Sequence, residues 1–141
     1  MDGTLADVSS IRHLVAVGEK NRNFDAFHTQ SVNCPPIDWV AAAARDAKNM
    51  GYRVIQVTAR QEKYRPHSSW WLADNLVPSD GLFMRTNGDF RPDSEVKRDI
   101  LDRLTRVYDI VKAYDDNPSI VRLWSEYNIP CVVVPGWEDH G

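Results

Sequence analysis

Hydrophobic residues recur along the chain with a spacing that alternates between helical and extended. Apolar positions three and four apart predict a helix over residues 37–50, and Gly51 follows as a stop signal. Residues 52–58 are rich in β-branched side chains and predict a buried strand. The same alternation then predicts helices over 66–76, 95–107 and 117–127, and strands over 81–85, 109–114 and 130–134.

Strands separated by helices of about 10–15 residues indicate βαβ units. The fold class predicted is therefore α/β, with a mainly parallel sheet and helices on both of its faces. Ligands of such sheets bind beyond the carboxyl ends of the strands. The segments that follow predicted strands are 58–60, the residues after Arg85, and Asp115-Asp116.

Residues 5–35 are less regular, with possible helices over 9–17 and 23–28. We expect a single domain over residues 1–141, in which a segment at about 8–34 forms a small cap. The length of 141 residues fits one domain with its own core.

Composition narrows the class of protein. Apolar residues make up 43% and charged residues 26%, which is typical of a globular domain. No apolar run approaches the roughly 20 residues of a membrane span, so no membrane partner is expected. Cys34 and Cys131 lie far apart without metal-ligand spacing, which favours a reduced, cytoplasmic protein with two buried thiols. The net charge of −3 means that nucleic-acid binding would need a local basic patch.

Polar residues that suit one kind of chemistry lie at the chain start and at the ends of predicted strands and helices. The chain opens with Asp2-Gly3-Thr4, Thr58 closes a predicted strand, Lys97 lies in the first turn of a predicted helix, and Asp115-Asp116 follow another strand. Phosphoryl transfer needs a cation to neutralise the phosphate, donors to orient it and carboxylates to hold a divalent metal. The set therefore predicts a phosphoryl-transfer site.

In this order, the four motifs resemble those of the haloacid dehalogenase (HAD) superfamily. Longer matches resemble the 3′-phosphatase domain of phage polynucleotide kinases. They are Val57-Thr-Ala-Arg60 after Gly51-Tyr52, Arg91-Pro-Asp93 after Gly88-Asp89, and Ala113-Tyr-Asp-Asp116. The resemblance implies a HAD-like (Rossmannoid) fold with a minimal cap.

The resemblance also implies a role for each motif residue. Asp2 would be the general acid and base, and its backbone carbonyl would contact Mg²⁺. Thr58 would donate a hydrogen bond to a phosphate oxygen, and Lys97 would bridge the phosphate and the carboxylates. Asp115 and Asp116 would hold the Mg²⁺ cofactor.

Substrate binding is expected of Thr4, Arg60, Lys63 and Arg91. Arginine offers a planar fork to phosphate, which favours Arg60 and Arg91 as contacts. Lys63 belongs to a run of basic residues between positions 60 and 67, which is either a solvated loop or an entrance for a polyanionic strand.

The family motif places its nucleophilic aspartate one position before Met1, on the first central strand of the sheet. We therefore expect the chain that begins at Met1 to lack both that nucleophile and that strand.

The function predicted is a Mg²⁺-dependent phosphomonoester hydrolase that removes a terminal 3′ phosphate from a polynucleotide. Alternatives are a mononucleotide or small-metabolite phosphatase, and an inactive module that binds a phosphate or nucleic-acid end. The expected partners are a phosphorylated nucleic-acid end or nucleotide, and a kinase or ligase. Kinase activity of this chain itself is not expected, because it has no Gly-rich phosphate-binding loop.

Overall fold

The computed structural model describes residues 1–12, 15 and 23–136. Its helices are α1 (Phe24–Gln30), α2 (Asp38–Asn49), α3 (Arg65–Asp74), α4 (Asp93–Leu104) and α5 (Pro118–Glu126). Its strands are β1 (Ile55–Gln61), β2 (Gly81–Arg85), β3 (Ala113–Asp115) and β4 (Cys131–Val133). Short 3₁₀ turns at Ser31–Asn33 and Glu62–Tyr64 precede α2 and α3.

The strands pair in parallel, with a helix between each strand and the next. Strand β1 pairs with β2, and β3 pairs with β4. This arrangement confirms the α/β class. Within the described residues the four strands form two separate pairs and not one continuous sheet.

Strand β1 separates a hydrophobic side from a polar side. Ile55 and Val57 pack on one side against α4, through Val96, Ile100 and Leu104. The alternate residues of β1, which point to its other face, are polar and buried: Gln56, Thr58 and Arg60. The strand therefore supplies core contacts and buried polar groups at once.

Strands β1 and β3 differ most in their bounds from the sequence prediction. Strand β1 begins three residues later than position 52 and continues to Gln61, so Thr58 and Arg60 lie within the strand and not after it. The physical reason is that the backbone pairing with β2 extends to Gln61 and Arg85, past the end of the apolar run. Strand β3 is shorter than the predicted 109–114: it begins at Ala113 and ends at Asp115, because only these three residues pair with β4.

The segment before α2 packs onto the main core. Phe27 of α1 and Cys34 are buried in one cluster with Trp71 and Leu72 of α3, and the Trp71 indole donates a hydrogen bond of 2.9 Å to the Cys34 carbonyl. Helix α1 confirms the short helix expected over 23–28. Of the possible helix over 9–17, positions 13, 14, 16 and 17 lie outside the described residues, and positions 9–12 and 15 are not α-helical. The cap remains a prediction.

Both cysteines are free thiols, but only Cys34 is buried. The prediction of two buried thiols is wrong for Cys131, which is half-buried because β4 leaves part of its surface to solvent. In the described part of the chain, no helix is long and apolar enough to cross a membrane.

Candidate active site

A tight loop at residues 1–6 connects the two strand pairs. The Met1 carbonyl accepts hydrogen bonds from the backbone N–H groups of Thr4, Leu5 and Ala6, at 2.9–3.2 Å. Gly3 adopts a φ of +77°, a left-handed conformation that favours glycine. Within this loop the Asp2 carboxylate pairs with Arg60 of β1, while the Thr4 hydroxyl donates to Asp116, next to β3.

Arg60 is buried and binds Asp2 through two nitrogens. Its Nε donates to Asp2 Oδ2 at 3.0 Å and its Nη2 pairs with Asp2 Oδ1, while Nη1 donates to Ser68 Oγ at 3.1 Å. Burial alone would raise the pKa of Asp2, but the charge and hydrogen bonds of Arg60 outweigh it and lower that pKa to about 2. Asp2 is therefore ionised at neutral pH, and it is a weak base for as long as Arg60 is paired with it.

Thr58 lies two residues before Arg60 on the same face of β1. Its side chain is buried, and its hydroxyl oxygen accepts a hydrogen bond of 3.2 Å from the Arg60 backbone N–H. The hydroxyl proton is not used in that bond, so Thr58 can donate it to an anion.

Asp115 and Asp116 are adjacent, buried carboxylates at the end of β3. Asp115 Oδ1 accepts from the backbone N–H of Asn117 at 3.1 Å, and its Oδ2 lies 3.6 Å from Lys97 Nζ. Thr4 Oγ1 donates to Asp116 Oδ1 at 2.9 Å. Burial raises the pKa of Asp116 and the charge of Asp115 adds to that increase, whereas the Thr4 hydrogen bond opposes it. The pair is thus an environment that a cation would stabilise.

The backbone of the loop lies directly against this carboxylate pair. A Cβ at Gly3 would lie 2.1 Å from Asp116 Oδ2 and 3.2 Å from Arg12 Nη2. Only a residue without a side chain allows the loop to come this close. The same contact brings Arg12 to the site, a residue that the sequence patterns did not single out.

The donor set agrees with Mg²⁺ in type, since Asp115 and Asp116 offer hard carboxylate oxygens. Asp2 contributes its backbone carbonyl at most, because its carboxylate is occupied by Arg60. Accordingly, the described residues contain no group of three or more His, Cys, Asp or Glu side chains placed to hold a metal. The chain can supply the two side-chain carboxylates, and water and a phosphate would complete the coordination shell.

The contacts of the predicted site residues form three groups: Asp2 and Thr58 with Arg60, Thr4 with Asp116, and Lys97 with Asp115. The loop at residues 1–6 and the adjacency of Asp115 and Asp116 link these groups into one site. Lys63 and Arg91 lie outside it. Lys63 is exposed, with its ammonium 5.1 Å from the centre of the Tyr64 ring, and Arg91 forms ion pairs with Asp89 and Asp99 at 2.9 and 2.7 Å. The substrate contacts of Lys63 and Arg91 stay predictions.

Arg85 and Ser68 are functional-site neighbours that sequence reasoning missed. Arg85 is buried at the end of β2 and donates to the Ala59 carbonyl at 2.7 Å, between Thr58 and Arg60. Ser68 is fully buried on α3 beneath the Arg60 guanidinium. The sequence offers one signal for Arg85, which is an arginine directly after the apolar strand residues 82–84. It offers none for Ser68.

The parallel strands, their helical connections and the order of these groups along the chain place the protein among HAD-like phosphatase domains. Residues 1–136 match the profile of the family described as the polynucleotide kinase PNKP phosphatase domain, and the chain belongs to this family. A comparison with curated protein sequences finds no match.

Two solved structures are similar to the whole described fold. One is titled "Structure of Pnkp1/Rnl/Hen1 complex", with 26% sequence identity and a TM-score of 0.79. The other is titled "Structure of the Pnkp1/Rnl/Hen1 RNA repair complex", with 27% identity and a TM-score of 0.77. The similarity covers 95% of this chain but only 43% and 40% of the two longer chains.

Proposed function

We propose that this domain is a Mg²⁺-dependent phosphomonoesterase that removes a terminal 3′ phosphate from a polynucleotide. The observation that carries the proposal is that one loop, residues 1–6, pairs with Arg60 through Asp2 and with Asp116 through Thr4. It thereby brings Thr58, beside Arg60, and Lys97, beside Asp115, to one site. Membership of the polynucleotide kinase phosphatase family supports the substrate class.

Each side chain would then have a defined task. Thr58 would donate its free hydroxyl proton to a phosphate oxygen, and Lys97 would offset the charge of both the phosphate and Asp115. Asp2, kept ionised by its pair with Arg60, would take the proton of the attacking water once that pair opens, because a carboxylate with so low a pKa is a weak base. The acid half of its role, protonation of the leaving oxygen, requires Arg60 to move away from Asp2, for example towards an incoming phosphate.

A bound Mg²⁺ would neutralise charge on the transferring phosphoryl group. Asp115 and Asp116 would hold it, and this would offset the repulsion between two adjacent buried carboxylates.

The titles of both similar structures name the components Rnl and Hen1, and one of them names RNA repair. We infer a comparable setting for this domain, in which it trims ends for a kinase or ligase partner.

A substrate panel tests the proposal. The HAD resemblance places the nucleophile one position before Met1, so the assay uses a chain extended upstream with a β segment that ends in aspartate, beside the chain that begins at Met1. Phosphate release is compared for a 3′-phosphorylated oligonucleotide, its 5′-phosphorylated counterpart, a 3′-mononucleotide and p-nitrophenyl phosphate, each with Mg²⁺ and with EDTA. We expect the highest kcat/KM for the 3′-phosphorylated oligonucleotide and no turnover in EDTA. Equal kcat/KM for all four substrates would refute the polynucleotide assignment.

The metal assignment has its own test in Asp115→Asn and Asp116→Asn. Both variants should fold and lose at least about a hundredfold in kcat/KM at limiting Mg²⁺, because a carboxylate that holds the metal is gone. Asp116→Asn should be at least as stable as the parent, since it removes a buried charge whose pKa is raised. Full activity of both variants at limiting Mg²⁺ would contradict the assignment.

A further inference from the structure

The loop at residues 86–92, between β2 and α4, is held rigidly by one buried side chain. The Arg85 guanidinium, at the start of the loop, donates through Nη1 to the carbonyls of Asp89 and Arg91, at 2.9 and 2.5 Å. Its Nη2 donates to the Asp93 carboxylate at 2.6 Å, at the end of the loop. A buried charge is costly unless it is fully paired, so this arginine fixes the loop in one conformation.

Two further hydrogen bonds fasten the loop to the end of β1. Asn87 Oδ1 accepts from the backbone N–H of Lys63 at 2.9 Å, and Gln61 Oε1 accepts from the backbone N–H of Gly88 at 3.3 Å. The loop is thereby tied to the strand that carries Thr58.

Phe90 stands outward from this fixed loop. Its side chain is 82% exposed, the highest value among the exposed large hydrophobic residues of the described chain. The carbonyls on both sides of it, those of Asp89 and Arg91, point inward to Arg85. The loop therefore presents a bare aromatic ring that contributes nothing to the core.

The loop follows the carboxyl end of β2, at the same end of the sheet as the proposed phosphate site. Strands β1 and β2 are parallel neighbours, and Gln61 is in register with Arg85. Thr58 precedes Gln61 by three residues, about 10 Å along an extended strand. A polynucleotide whose terminal phosphate lies at Thr58 would extend past this end of the sheet, where Lys63 adds an exposed positive charge.

We propose that Phe90 is a specificity residue that stacks on a base near the phosphorylated end of a single-stranded polynucleotide. The proposal rests on the proposed function and adds the contact that would distinguish a polynucleotide from a smaller phosphate ester. Stacking on an aromatic ring tolerates any base, and it needs a ring held in place and open to solvent. A rigid loop also reduces the entropy lost on binding.

The test measures binding, so that it does not depend on turnover. A single strand of about eight nucleotides carries a fluorophore at its 5′ end and a phosphate at its 3′ end, and its anisotropy is followed during titration with protein. Phe90→Ala should raise Kd about tenfold, whereas Phe90→Trp should keep or improve the affinity. Tyr52→Ala is the matched control. Tyr52 is a 48% exposed aromatic residue that precedes β1, at the opposite, amino end of the strand. Its replacement should leave Kd unchanged.

A second ligand separates stacking from a general surface effect. An otherwise identical strand with abasic sites in its last two nucleotides should bind the parent protein as weakly as the normal strand binds Phe90→Ala. Phe90→Ala should not weaken the abasic strand further. If Phe90→Ala binds the normal strand with the Kd of the parent, the stacking proposal is wrong. If the parent does not bind the strand at all, both the stacking proposal and the polynucleotide substrate are wrong. Binding of the strand without hydrolysis in the substrate panel would contradict the enzymatic proposal alone.

Discussion

At the level of single residues, Gly3 is a position where the loop lies directly against the carboxylate pair. Its φ of +77° and the 2.1 Å between a hypothetical Cβ and Asp116 Oδ2 both exclude a side chain. Any larger residue must displace Asp116 or the loop, and with it the Thr4 hydrogen bond. The Asp-Gly-Thr motif is therefore explained by packing as well as by chemistry.

We expect Gly3→Ala to lower the free energy of unfolding by about 3 kcal/mol, from the left-handed φ together with the steric conflict. Gly51→Ala is the control, because Gly51 has a φ of +94° and no atom within 4 Å of a Cβ. It should cost only about 1 kcal/mol. Chemical denaturation of both variants measures the difference. Equal losses would mean that Asp116 moves aside without cost.

The sequence predicted the chemical groups of the site but not their pairings. Asp2, Thr58, Lys97 and the Asp115-Asp116 pair were found from motif order. In the structure Arg60 contacts Asp2 and Thr58, Thr4 contacts Asp116, and Lys97 contacts Asp115. That Arg60 would bind Asp2 could not be predicted, because the two lie 58 positions apart. A contact of this kind depends on how the loop at residues 1–6 packs against β1, and no local pattern encodes it.

At the level of elements, β1 illustrates where pattern reasoning stops. The apolar run ends at Thr58, and the strand was predicted to end there. The structure continues it to Gln61, because its backbone still pairs with β2. Two of the polar alternate positions, Thr58 and Arg60, belong to the candidate site, so the interruption of hydrophobicity did not mark the end of the element. Strand β2, whose apolar run is bounded by Gly81 and Arg85, was predicted with its observed bounds.

Arg85 links β2, the 86–92 loop and β1, and its loss should loosen all three. Arg85→Met should lower the free energy of unfolding by about 2–4 kcal/mol, because it removes the donor to the carbonyls of Ala59, Asp89 and Arg91 and the ion pair with Asp93. Arg98→Met removes the exposed ion pair with Glu126 on α5 and should cost less than about 1 kcal/mol. Denaturation curves of the two variants provide the measurement. A loss for Arg85→Met no larger than for Arg98→Met would contradict the anchoring role.

Helix α1 brings a histidine close to the site. Burial is the main cause that lowers the pKa of His28 to about 4, with Arg60 and Lys63 acting in the same direction and Asp2 and Asp25 against it. The folded protein therefore binds fewer protons at this residue than the unfolded chain, whose histidine has a pKa of 6.5. Stability should fall as the pH decreases from 7 towards 4.

Between pH 7 and pH 5 this effect should amount to about 1–2 kcal/mol. His28→Gln should flatten the dependence in that window, whatever its stability at pH 7. Urea denaturation at several pH values, compared between the parent and the variant, provides the slopes. The same slope in both proteins would show that His28 is protonated in the folded state with its ordinary pKa.

At the level of the whole molecule, positive charge is divided between a buried and an exposed position. The net charge is −3, and among the basic residues that follow Thr58, Arg60 is buried in the site whereas Lys63 is exposed beside the 86–92 loop. Under the proposed function, Arg60 would serve the reacting phosphate, and Lys63 would face the path of a longer chain. The sequence placed both in one basic run and could not separate them, because burial is decided by the alternation of β1 and by the turn that follows it.

The two positions should differ in their effect on substrates of different length. Arg60→Ala should lower kcat/KM at least about a hundredfold for p-nitrophenyl phosphate and for a 3′-phosphorylated oligonucleotide alike, because Asp2 loses its partner in both reactions. Lys63→Ala should leave p-nitrophenyl phosphate unaffected and weaken the oligonucleotide only, since a single phosphate does not reach the exposed lysine. Its binding should also depend less on salt, with the slope of log K against log salt smaller by about 0.7, the value for one single-strand phosphate contact. Lys48→Ala is the control for net charge: Lys48 lies on α2 in an ion pair with Asp80, at the amino end of β2. A salt slope that falls equally in Lys48→Ala and Lys63→Ala would show that Lys63 acts through the overall charge of the domain and not through a phosphate contact.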